Sequence, residues 1–274
     1  MTRLMNLGNT CYINSAISII YSMHELCDYI EYTPSDKSIE GNLIRELNEV
    51  IKLAKNPNLI ISPYKYIKFN KLLFKLKNKI DFIQNTQCDS TEYLLFIFEC
   101  INSCHKKIIP FLYEYNNTIT YTSSDGLYVE TIIETDLIMY ICIPDKQRVS
   151  LEQCIEYTYA DESINKLNEK TNKQQTYVKH NSITKNPYIL ILQYNKRGVT
   201  VIAPDILNIS PYSTIPDTYE LFGIINHIGD ESSGHYYTFI KESSGWVIYD
   251  DAIKKHITSI EPLNNYCMFY RKII

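Results

Sequence analysis

The sequence predicts an α+β protein, with helices first and a mostly antiparallel sheet after them. From Asn14 to about Cys104, apolar residues recur at helical spacing. After about Pro110, runs rich in Tyr, Thr, Ile and Val alternate with clusters of Asn, Asp, Gly and Ser, the pattern of strands and turns. The last of these runs follow one another too closely for crossover helices, so they pair antiparallel.

The helical part is carried by Ile17, Ile20 and Tyr21, then by Leu43, Leu47, Val50 and Ile51, then by Tyr93 to Ile101. Between them YKYIKFNKLLFKLKNK, 64–79, is basic and amphipathic, and reads as a solvated face on a core-packed helix rather than a membrane or nucleic-acid surface. The expected strands are TITYTSSDGLYVETII, PYILILQY, GVTVIA, YELFGIINHI, HYYTFIK, WVIYD and YCMFYRK. ADESINKLNEKTNKQQ, 160–175, has no strong hydrophobic period and is expected to be a solvated helix or an excursion from the sheet. With no repeat and no domain-sized linker, residues 1–274 read as one domain, helical to about 109 and strand-rich from about 110.

The 274 residues carry a formal net charge of -4, which excludes a nucleic-acid binder held by global charge and favours a basic partner. Polar residues interrupt YINSAISIIYSM, and the other apolar runs are far shorter than the roughly 20 residues of a membrane span, so no export signal or membrane insertion is expected. A cytosolic or nuclear chain keeps its 8 cysteines reduced, mostly as small buried hydrophobes.

One cysteine stands apart. In NLGNTCYINSA, Asn9 or Thr10 is a good helix N-cap type, Gly8 permits a tight turn, and the helical pattern starts directly after Cys11. A thiol at the positive end of a helix is stabilised as thiolate, the nucleophilic form. Taken singly, such a cysteine is more often a buried structural residue. A nucleophile also needs a base and a group to orient it. IINHIGDESSGHYYTFIKESSGWVIYDDAI offers both, because a turn at Glu242 to Gly245 would set His235 near the start of one strand beside Asp250 near the end of the next. Gly234 leaves room there for a substrate backbone, whereas His227 reads as structural.

These segments resemble the ubiquitin-specific proteases, papain-like cysteine peptidases that remove ubiquitin. NLGNTCYINSA is similar to their Cys box, Tyr219 to Asp251 to their His box, QCDSTEYLLFIFE to their Gln-Gln-Asp-Ser-x-Glu-Phe-Leu helix, and YCMFYRK to their last strand. The resemblance implies a papain-like fold with a helical thumb, a mostly antiparallel palm sheet and short fingers. It implies a thiol-dependent deubiquitinase with Cys11 as nucleophile, His235 as base and acid, Asp250 orienting His235, Asn6 donating to the oxyanion and Asp251 supporting that site. It gives Gln87, Asp89, Glu92, Gly234 and Tyr236 to the ubiquitin tail, with Asp89 and Glu92 on one helical face meeting its arginine.

The chain departs from the family at Cys88, where a second Gln is usual, at Arg3 and Tyr93, and after Lys196 and Arg197, where no Phe follows. It has no Cys-x-x-Cys pair, and Cys100, Cys104 and His105 sit on a helical apolar pattern, so no cofactor and no structural zinc are expected. The implied partner is ubiquitin or a ubiquitinated protein. A catalytically inactive ubiquitin-binding module of the same fold, or a protease for another ubiquitin-like modifier, are the alternatives.

Overall fold

The computed structural model describes residues 3–6, 8–34, 36–55, 88–168, 170–194, 198–230 and 234–274. Gln87 and the basic segment 64–79 lie outside the described residues. The chain forms two compact units, one of residues 1–112 and 222–268, the other of 113–221 and 269–274.

The first unit holds helices α1 (Cys11–Ser22), α2 (His24–Tyr32), α3 (Ile39–Ala54) and α4 (Ser90–Cys104). α1 is buried on nearly all sides, as a helix apolar around its circumference must be. Its buried Ser22 hydroxyl donates back to the Ile19 carbonyl at 2.7 Å, satisfying a group that would otherwise be costly in the core. α3 is capped by Ser38, whose hydroxyl accepts from the Gly41 amide at 2.9 Å. α4 contributes Tyr93, Leu94, Phe98 and Ile101 to the core. It is tied to α1 by an edge-on Tyr12–Tyr93 pair at 5.5 Å and by the Ser90 hydroxyl donating to the Tyr12 carbonyl at 2.8 Å.

Against these helices stand strands β11 (Gly234–Glu242), β12 (Gly245–Asp250) and β13 (Ile253–His256), with most of β10 (Thr218–Gly229) and the first half of β14 (Asn265–Lys272). They lie in the order β13-β12-β11-β10-β14. The β11–β12 ladder closes at Glu242↔Gly245, and Gly245 takes φ 111°, a conformation that favours glycine.

The second unit contains the antiparallel sheet β2 (Val129–Asp136), β1 (Tyr115–Ser123), β6 (Lys173–Lys185), β5 (Glu162–Asn168), in that order. Parallel pairs join β3 (Met139–Tyr140) to β7 (Ile189–Gln193) and β4 (Arg148–Ser150) to β8 (Thr200–Ile202). β7 is buried at every position, consistent with its unbroken apolar run.

The α+β expectation holds, with two differences. Residues 160–175 are neither a solvated helix nor outside the sheet, because Glu162 to Asn168 pairs with Lys173 to Lys179 as a hairpin. Most of β5 is exposed, so burial imposes no apolar alternation there. Beyond the short helix α5 (Ile108–Tyr113), a further helix, α6, runs from Leu151 to Tyr159 within the part read as strands. Ser150 and Gln153 form a reciprocal capping box at its start, a signal present in the sequence. Among the described residues no helix is long and apolar enough to cross a membrane.

Candidate active site

Every described site residue lies in the first unit. Cys11 opens α1 and is buried, 3% exposed. The chain reaches it through Gly8 and Asn9, both left-handed, at φ 92° and 54°. Thr10 occupies the N-cap position, yet its side chain makes no cap hydrogen bond. Its hydroxyl donates instead to Asn6 Oδ1 at 3.2 Å, which also accepts from the amides of Gly8 at 2.9 Å and Thr10 at 3.2 Å. One carboxamide oxygen thus organises the turn before the thiol, and the Asn6 amide nitrogen is directed elsewhere.

His235 and Asp250 meet through sheet geometry. The last β11–β12 pair toward the site is Thr238↔Tyr249, so extending the ladder by one residue sets Asp250 opposite Tyr237. Side chains alternate along a strand, so Asp250 shares a face with His235, two residues before Tyr237. His235 Nε2 lies 2.5 Å from Asp250 Oδ1. That contact leaves Nδ1 as the nitrogen available to the thiol, and Cys11 is the largest influence holding the imidazole's pKa up at about 9. Burial pulls the other way, and the Asp250 carboxylate adds to the rise.

Asp251 follows in the tight turn between β12 and β13, at φ 50°, a left-handed conformation that Asp tolerates better than most side chains. Its Oδ2 accepts from Asn6 Nδ2 at 2.9 Å and its Oδ1 from Asn14 Nδ2 at 2.6 Å. Donor atoms of His235, Asp250 and Asp251 lie within 4.8 Å of one another. Each carboxylate is already engaged by a neighbouring donor, which makes the group a hydrogen-bonded line rather than a built cation site.

The described residues expected at the ubiquitin tail also have partners within the chain. Asp89 is the N-cap of α4, three residues before Glu92. Its Oδ1 accepts from the amides of Thr91 at 2.7 Å and Glu92 at 2.9 Å. Its Oδ2 accepts from the hydroxyls of Tyr236, at 3.5 Å, and Tyr266. Glu92 is exposed as a residue while its carboxyl is partly desolvated, and that desolvation, with the Asp89 charge, holds its pKa above the ordinary value.

Gly234 also answers a need of the fold itself. A Cβ there would lie 2.2 Å from His227 Nε2 and 2.6 Å from the Ile228 carbonyl oxygen, so its missing side chain makes room for an imidazole of this chain. His227 in turn stacks on Tyr236, with ring centroids 4.3 Å apart. Sequence reasoning missed Asn14 and Tyr266. Asn14 had a signal, being a polar residue inside an apolar helical run; Tyr266 had none beyond its strand.

The sequence pattern of the ubiquitin carboxyl-terminal hydrolase family matches residues 2–270. Human ubiquitin carboxyl-terminal hydrolase 17-like proteins 20 and 24 are each 23% identical over 304 residues, covering 97% of this chain and 55% of theirs. The chain therefore spans about half the length of these curated relatives. Among solved structures, the SAGA DUB module containing Ubp8, bound to ubiquitin aldehyde, matches with TM-score 0.85 at 21% identity, over 100% of this chain and 70% of that one. A yeast SAGA DUB module matches with TM-score 0.82 at 20% identity, over 100% and 69%. These likenesses give the fold, and the family match over nearly the whole chain gives the kinship: the protein belongs to the ubiquitin carboxyl-terminal hydrolase family.

Proposed function

We propose that this chain is a thiol-dependent deubiquitinase, hydrolysing the peptide or isopeptide bond after the C-terminal glycine of ubiquitin through an acyl-enzyme on Cys11. The observation that carries this reading is His235, held by Asp250 at 2.5 Å and with its proton affinity raised first of all by Cys11. Family membership and the ubiquitin aldehyde bound to the Ubp8 module support ubiquitin as the partner.

In the first half-reaction His235 holds the thiol proton as imidazolium and the Cys11 thiolate attacks the glycine carbonyl carbon, placing negative charge on the carbonyl oxygen. The Asn6 amide is the side-chain donor for that oxyanion, and Asp251 holds it ready. Collapse breaks the C–N bond, His235 gives its proton to the leaving amine, and a thioester remains. In the second, His235 takes a proton from water, the hydroxyl adds to the thioester, and the thiolate leaves. Asp250 fixes the imidazole orientation throughout. In this reading Glu92 offers an exposed carboxylate to the basic ubiquitin tail, and Gln87 and Tyr236 serve the same tail. Asp89 shapes the slot through its two tyrosines rather than as an unengaged charge.

The test is turnover of fluorogenic C-terminal amides of ubiquitin, SUMO and NEDD8 by wild type and Cys11→Ala. Release from the ubiquitin substrate by wild type alone is expected. Release from only another modifier overturns the substrate, and binding without any release favours an inactive ubiquitin-binding module.

A further inference from the structure

We propose that Asn14 is a positioning residue that aims the Asn6 amide through Asp251; the inference rests on the reading of Asn6 as oxyanion donor. Asn14 lies one helical turn after Cys11 in α1 and is 3% exposed, a carboxamide in a helix buried on nearly all sides. Its Nδ2 donates to Asp251 Oδ1 at 2.6 Å and reaches the Met5 carbonyl at 3.4 Å. Its Oδ1 is buried without a hydrogen-bond partner among the described residues. An apolar side chain there would spare the cost of that oxygen but would leave Asp251 Oδ1 without this donor. What it provides is a rigid donor to Asp251.

Asp251 needs such an anchor. It stands in a turn at φ 50°, and its two carboxylate oxygens are divided between Asn14 on the helix and Asn6 in the loop before Cys11. Asn6 Oδ1 is taken by Gly8 and Thr10, so its amide direction is set at one end by the loop and at the other by Asp251. The contact to Met5 places Asn14 against the residue next to Asn6 as well. The nucleophile and the donor that must answer it are thereby referenced to one rigid helix. Reaction geometry demands such registration, since small misplacements are costly.

The experiment compares wild type, Asn14→Leu, Asp251→Gly and the double variant in full-length protein, by turnover of a ubiquitin C-terminal fluorogenic amide and by NMR of the Asn6 side-chain amide. Asn14→Leu should lower kcat with KM unchanged, by no more than the roughly 10²–10³-fold that losing an oxyanion donor costs. The double variant should be no slower than Asp251→Gly, because both changes break the same line. The Asn6 amide protons should shift and exchange faster in Asn14→Leu. If that variant does not fold, Asn14→Asp, nearly isosteric but opposing Asp251 with like charge, should give the same shifts. Independent, additive losses, a change confined to KM, or an Asn6 amide unmoved in a folded variant would overturn the proposal. A wild type without turnover would instead sink the enzyme reading, and the Asn6 signal would still decide whether Asn14 positions it.

Discussion

His235 presents Nε2 to Asp250 at 2.5 Å, which leaves Nδ1 as the nitrogen available to Cys11. A carboxylate on Nε2 fixes which nitrogen exchanges protons with Cys11 and raises the proton affinity of the ring. Asp250→Asn removes that charge and should lower the His235 pKa. The alkaline limb of the pH–rate profile then moves to lower pH, and kcat/KM falls by about 10²–10⁴-fold. A profile that keeps its alkaline limb in Asp250→Asn would assign that limb to another group.

The same pair predicts a pH dependence of stability. The folded-state pKa of His235 is raised, to about 9, above the ordinary histidine value near 6.5. The folded protein therefore binds the proton more tightly than the unfolded chain. The resulting stabilisation is complete below about pH 6.5 and disappears as pH rises through about 9. Thermal melts of wild type and His235→Gln should be furthest apart near pH 6 and converge near pH 10. A gap that widens with pH would contradict the sign.

Asn6→Ala removes the proposed oxyanion donor together with the acceptor for Gly8 and Thr10. Turnover should fall by about 10²–10³-fold, read mainly in kcat. Asn6→Asp keeps the acceptor but sets a like charge against Asp251, so it should be no better than Asn6→Ala in kcat. Full activity in Asn6→Asp would remove the amide from the mechanism.

Asp89→Ala tests a structural role for a residue expected to serve the substrate. It uncaps α4 and leaves the Tyr236 and Tyr266 hydroxyls without their acceptor. A loss of about 2 kcal/mol or more should appear in denaturant midpoints without any ligand. Unchanged stability with weakened ubiquitin binding would restore the residue to substrate contact alone.

Gly234→Ala should drive a methyl into His227, which lies 2.2 Å from the ideal Cβ, one residue before His235. Overpacking of this kind costs about 1–3 kcal/mol. The aromatic stack of His227 on Tyr236 should be disturbed with it, visible as shifted His227 ring signals.

Much of this was legible in the sequence where a local pattern and a chemical need coincided. The period from Ile13 through Ile20 marks α1, and the turn before Gly245 brings His235 to Asp250 because hairpin register follows from turn position. Where burial imposes no pattern, the reading failed. β5 is mostly exposed and carries little alternation, so its strand could not be told from a polar excursion. α6 is only 9 residues long and was signalled chiefly by the Ser150 and Gln153 capping box. Functional detail set by distant partners was hidden for another reason. Asn14 meets Asp251 across 237 positions, Tyr266 meets Asp89 across 177, and the space at Gly234 is filled from the neighbouring strand. Spacing along the chain reports none of these.

The central claim is that Cys11 is the nucleophile toward the ubiquitin C-terminus. Its most direct test is to incubate the protein with ubiquitin bearing an electrophilic C-terminus and map the adduct by mass spectrometry. A single ubiquitin attached at Cys11, absent in Cys11→Ala and slowed in His235→Gln, is the expected result. Attachment at another of the cysteines, or an adduct that forms equally in Cys11→Ala, would contradict it.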